Sequence, residues 1–114
     1  MSKRGTVELL TDISDSIHRI LEYTKGVSYI KFSKNLLIQD AVIRNFQVLG
    51  EATKKLPAEF KEQHKHIPWS KVARFRDKLV HHYSGVNYDI VFEIIEDSLP
   101  ELHKQIKHIL KQTK

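Results

Sequence analysis

Between residues 74 and 85 the chain reads RFRDKLVHHYSG, which crowds Arg76, His81, His82 and Tyr83 into eight residues. The arginine side chain is a planar charged fork that grips phosphate oxygens and stabilises extra negative charge on them. Histidine titrates near pH 6.5 and can accept or donate a proton at cellular pH. Together these residue types suit cleavage of an RNA phosphodiester. One imidazole removes the proton of a ribose 2′-hydroxyl for attack on the neighbouring phosphorus, and a second protonates the departing oxygen. No metal is required when both proton transfers are served in this way. A plainer reading stands beside it: basic residues late in a helix complement its dipole and bond its last carbonyls, and Tyr83 at helical spacing fills a core.

A helix turns about 100° per residue, so Arg76, Val80 and Tyr83 share one side, whereas His81 lies about 140° round the axis from Arg76. One ideal helical face therefore cannot present Arg76 and His81 to the same phosphate. Either the helix loosens near its end or a second copy completes the site, and a symmetric dimer would bring two such helices together through one patch. Zinc is the competing chemistry. His81-His82 and His64-x-His66 supply imidazoles, but adjacent histidines on a helix point apart, and no His-x-x-x-His or His-Glu-x-x-His pattern occurs. His103 and His108 are again five apart, and with His18 they read as surface or boundary residues. The expectation is no metal and no cofactor.

The segment must be held by helices. The chain has 114 residues, 40% of them hydrophobic, which suits one domain with its own core over residues 1–114. A first helix is expected from about 6 to 25, with Leu10, Ile13, Ile17, Ile20 and Leu21 on one face and Gly26 as its stop. Residues 27–34 read as a connection whose shape the sequence leaves open. A central helix from about 35 to 55 carries the stripe Ile38, Val42, Phe46, Leu49 and Thr53, widened by Leu37, Ala41 and Val48. Pro57 opens a short helix over PAEFKEQH. The next runs from about Pro68 to His82 with Val72, Phe75, Leu79 and Tyr83 inward. Asn87 caps the last helix, which continues through Val91, Ile94, Ile95, Leu99, Leu102, Ile106 and Ile109 and either kinks at Pro100 or breaks and restarts near Ser98. No stretch alternates with a period of two, so the fold class is all-α, an antiparallel bundle of four to five helices.

A formal charge of +5 favours anionic partners, nucleic acid first, although a solubilising surface has the same sign. The chain has no cysteine, no apolar run of the roughly 20 residues a membrane span needs and no secretory leader pattern. A cytoplasmic protein without membrane contact is expected.

At Arg76-DKLV-His81-His82-Tyr83 the sequence resembles the HEPN superfamily, specifically its HepT-like branch, whose mark is arginine, four residues, histidine, one residue, tyrosine. Asp77 fits that branch's polar residue after the arginine. AVIRNFQVLGEATKKLP at 41–57 and IPWSKVARFRDKLVHHYSGVNYDIVFEII at 67–95 resemble its flanking segments, so the likeness covers about residues 7–110. The resemblance implies a homodimer with the motif helices facing each other. It also implies a toxin ribonuclease of a prokaryotic type VII toxin–antitoxin pair, whose MntA-like nucleotidyltransferase antitoxin attaches AMP to the motif tyrosine. Carried over, Arg76 and His81 are the catalytic pair, Asp77 supports them and Tyr83 is the modification site. Lys78 and His82 are candidate substrate-binding residues. Arg44, Asn45, Gly50 and Glu51 share in the likeness; a close helix approach would explain Gly50 within a helix, and Arg44 and Glu51 read as structural, lining the cleft.

Two other functions compete. In a non-catalytic subunit of a nucleotidyltransferase complex, Arg76 and Lys78 would hold nucleotide phosphates and Tyr83 would stack or dock. A plain basic nucleic-acid-binding domain would tolerate replacement of His81. The motif histidine favours the enzyme over both. The RNA target is not written in these residues.

Overall fold

Apolar residues at steps of three and four fold into helices because only that winding gathers them on one side. The computed structural model describes residues 4–75, 77 and 87–113, and every regular element among them is helical. In chain order these are α1 (Arg4–Thr24), α2 (Tyr29–Lys34), α3 (Leu36–Lys55), α4 (Ala58–Gln63), α5 (Trp69–Ala73), α6 (Tyr88–Asp97) and α7 (Leu99–Thr113). The all-α expectation holds. Four of the helices have ten residues or more, and α2, α4 and α5 are short additions around them.

α1 packs against both α3 and α7, and α3 also carries α2 and α5. The core therefore forms where the α1 stripe of Leu10, Ile13, Ile17 and Ile20 joins Val42, Phe46 and Leu49 of α3 and Leu102, Ile106 and Ile109 of α7, all of them buried. The helix ends follow local chemistry. Gly26 adopts φ 71°, a left-handed conformation that ends α1. The Asn35 carboxamide oxygen accepts from the Ile38 amide at 3.0 Å and caps α3. Pro57 stands at the N-cap of α4 and Pro68 at that of α5.

One expectation requires correction and two open points are decided. Residues 27–34 are not merely a connection. Ser28 caps α2 by accepting from the Lys31 amide at 3.2 Å, and Phe32 is fully buried. Its ring lies 5.9 Å from Tyr88 and 5.5 Å from Phe92, and Tyr29 adds a further edge contact to Phe92 at 5.5 Å. α2 is thus an aromatic clasp onto α6. Leu37 does not widen the buried stripe of α3: with Leu36 it lies in the first turn and is 81% exposed. At Pro100 the chain breaks and restarts. Ser98 caps α6, its amide donating to the Ile94 carbonyl at 2.9 Å, and Pro100 occupies the second position of α7, where its missing N–H costs nothing.

Two polar groups in the α1 layer generate predictions. The Ser16 hydroxyl is fully buried and, among the described residues, has no hydrogen-bond partner. A buried unsatisfied hydroxyl costs about 1–3 kcal/mol, so Ser16→Ala should stabilise the protein by ~1 kcal/mol in chemical denaturation; a loss of stability would show that the hydroxyl is satisfied in solution. His103 of α7 lies 5.9 Å from His18 of α1. Burial, then Lys107 and His18, push its pKa below the ordinary histidine value. Because the folded state disfavours its protonated form, its contribution to stability is present above about pH 6.5, the unfolded value, and is lost as pH falls below that. Thermal midpoints from pH 8 to 5 should decline less steeply for His103→Gln than for the wild type.

Candidate active site

The motif segment grows out of α5. The Trp69 indole N–H donates to the His64 carbonyl at 3.0 Å and fixes the entry into that helix. Val72 and Phe75 are buried, and the Phe75 ring meets Phe46 of α3 edge to face at 6.0 Å. The expected inward stripe is thus observed as far as Phe75. On the outer side Arg74 donates to the Ser70 hydroxyl at 2.9 Å, one helical turn back. Asp77 is helical, half-buried and engaged in an interaction, so it is not a free carboxylate. Arg76, Lys78, His81, His82 and Tyr83 lie outside the described residues, as does the inward assignment of Leu79.

The chain is fixed again immediately afterwards. The Asn87 carboxamide oxygen accepts from the Ile90 amide at 3.2 Å and starts α6, as its sequence position predicts. The Tyr29 hydroxyl donates to the Asp89 carboxylate, which pushes the tyrosine pKa up. Phe32 packs on Tyr88 one turn along. The residues flanking the motif are therefore anchored on both sides, Phe75 to α3 and the first turn of α6 to α2.

The flanking residues divide into structural and surface groups. Asn45 is buried and donates to the Ala41 carbonyl of its own helix at 2.8 Å, a structural role. Gly50 is buried within α3. Arg44 and Glu51 line a cavity of about 280 Å³ between α1 and α3 with Asp12 and Lys55. Two further cavities of about 230 Å³ each adjoin along α5 and the α6–α7 turn. They share Lys71, Phe75, Asp97 and Ser98, and Glu93 and Glu101 add carboxylates to the rim. On the other side of α5 lies a wider groove of about 570 Å³ with Lys54, Lys61 and Lys65 on its edge. Sequence reasoning missed this groove, because its lysines come from α3, α4 and the following turn and share no helical period. Among the described residues no group of three or more His, Asp or Glu side chains is placed to hold a metal ion, and no helix is long and apolar enough to cross a membrane.

The described residues form a compact α-helical domain in which the elements on either side of the Arg–His–Tyr motif are anchored, Phe75 on α3 and the start of α6 on α2. The family model described as "Ribonuclease HepT-like" matches residues 13–109, and the chain belongs to that family. It is 45% identical over 95 residues to "Putative RNase TTE0752" of Caldanaerobacter subterraneus subsp. tengcongensis, covering 83% of this chain and 85% of that protein. It is 39% identical over 111 residues to "Putative RNase MJ0127" of Methanocaldococcus jannaschii, covering 97% and 92%. With "Probable ribonuclease HepT" of Thermococcus cleftensis it shares 36% identity over 109 residues, covering 96% and 99%. No solved structure matches the chain significantly.

The cap at Asn87 can be tested separately from the chemistry. Asn87→Ala should lower the unfolding free energy by ~1 kcal/mol, whereas Asn87→Gly should cost only a few tenths. Urea denaturation of both variants checks this; equal losses would mean that the side chain does more than cap the helix.

Proposed function

We propose that this chain is the toxin of a type VII toxin–antitoxin pair and acts as a metal-independent endoribonuclease. The observation that carries the reading is the unbroken Arg76-x4-His81-x-Tyr83 pattern inside a span matched by the HepT-like ribonuclease family. Arg76 holds the scissile phosphate and stabilises the charge that builds on its oxygens. The His81 imidazole takes the proton of the ribose 2′-hydroxyl. The freed oxygen attacks phosphorus, the bond to the 5′-oxygen breaks, and a second imidazolium gives that oxygen its proton. The products are a 2′,3′-cyclic phosphate and a 5′-hydroxyl.

The second imidazole comes from another copy of the chain. The 140° separation of Arg76 and His81 on an ideal helix is resolved when two motif segments face each other across a homodimer. Asp77 holds the segment in place, and Lys78 and His82 add contacts to the RNA backbone. Asp77 is half-buried and has a partner in the fold, which supports a positioning role.

Regulation follows from Tyr83. Transfer of AMP from ATP to its hydroxyl by an MntA-like nucleotidyltransferase, with pyrophosphate leaving, would place a negative phosphate within reach of Arg76. That adduct would occupy the arginine and repel incoming RNA.

His81→Ala and Arg76→Ala should each reduce cleavage of a single-stranded RNA by ~100-fold or more with unchanged far-UV circular dichroism. Cleavage by wild type should persist in excess chelator. Full activity in purified His81→Ala would remove the catalytic assignment. Co-expression with the nucleotidyltransferase should add the mass of one AMP per chain, and Tyr83→Phe should abolish the addition.

A further inference from the structure

Lys54 at the end of α3, Lys61 in α4 and Lys65 beyond it border a single open groove of about 570 Å³. Its floor is apolar and rigid: Leu56, Ile67 and Trp69 are each at most 6% exposed. The acid on its rim is Glu62, 3.8 Å from Lys65 with both side chains largely in solvent, a pairing worth little. Three ammonium groups thus face one carboxylate. The half-buried Phe60 and His64 rings, 4.6 Å apart, pack together outside the lining of the groove. The groove ends at Pro68, Trp69 and Ser70, and Arg74 extends from Ser70 along the outer side of the same helix.

Chain length sets how far this groove can lie from the motif. Arg76 follows Ser70 by six residues, and six residues span at most about 21 Å. A strand of several nucleotides covers that distance. Lysines spaced along an open groove form a positively charged track that can hold a single-stranded backbone without reading its sequence. The neighbouring cavities carry Asp97 with Glu93 or Glu101 against the single Lys71, a balance that favours the same strand less.

We propose that the groove bordered by Lys54, Lys61 and Lys65 is a binding track for the sugar–phosphate backbone of single-stranded RNA, which delivers the strand to the Arg76–His81 segment. The delivery role rests on the ribonuclease reading above; the binding does not.

The test uses a fluorescein-labelled 12-nucleotide RNA and full-length His81→Ala protein, so that binding is measured without cleavage. Lys54→Gln/Lys61→Gln/Lys65→Gln should weaken binding at least tenfold and reduce the slope of log affinity against log salt by about two, since three phosphate contacts are lost. Lys104→Gln/Lys107→Gln/Lys111→Gln on α7 removes the same charge from exposed positions elsewhere and should change affinity less than twofold. Equal losses from the two triple variants would reduce the effect to net charge and overturn the proposal, as would displacement of the RNA by a glutamate-rich peptide at equal charge concentration. Groove-dependent binding in a wild-type protein that does not cleave RNA would support the track and sink the ribonuclease reading. Cleavage that continues with unchanged affinity and rate in the groove variant would do the reverse.

Discussion

The Phe46–Phe75 contact ties the chemistry to the fold. Phe46 belongs to the helix around which the domain is built, and Phe75 is the residue immediately before the motif arginine. Both rings are buried, so the contact combines apolar burial with an edge-to-face preference. Burying Phe75 constrains the direction in which the next residues leave the core. Phe75 leads directly into the motif in the sequence, and the packing of α1 on α3 helps to hold Phe46 in place beneath it.

The second tether is of a different kind. α6 begins at Asn87 with a side-chain cap and is clasped by the rings of α2. Anchors on both flanks of the motif restrict the conformations open to the chain between them, which lowers the entropy that any later ordering has to remove.

Much of the fold was legible because its signals are local. Gly26, Pro57, Pro68 and Asn87 each terminate or start an element for reasons contained within a few residues, and the stripes of α1, α3 and α7 are ordinary helical periods. What was not legible depended on distance along the chain. Phe32 is buried by Tyr88 and Phe92, more than fifty residues later, and six residues of α2 are too few to show a period. Leu37 obeys the stripe of α3 and is nonetheless exposed, because periodicity says which side a residue faces but not whether a neighbour reaches that turn. Pro100 allowed a kink or a break, and the hydrogen bonding at Ser98 decides for the break. Of the candidate site, residue identity and spacing pointed to the chemistry, and the structure adds the tethers and the engaged state of Asp77. The lysine groove had no sequence signature because its members come from three separate segments.

Pro68 lines both the lysine groove and one of the carboxylate-rimmed cavities. Charges of opposite sign therefore flank one narrow ridge, a separation that a net value of +5 conceals. Such a ridge carries a sideways dipole, and a dipole experiences torque in the field of a polyanion across roughly a Debye length, about 8 Å at physiological salt. Under the RNA-track proposal, that torque turns the lysine side toward the strand before contact, so that fewer collisions are wasted in the wrong orientation.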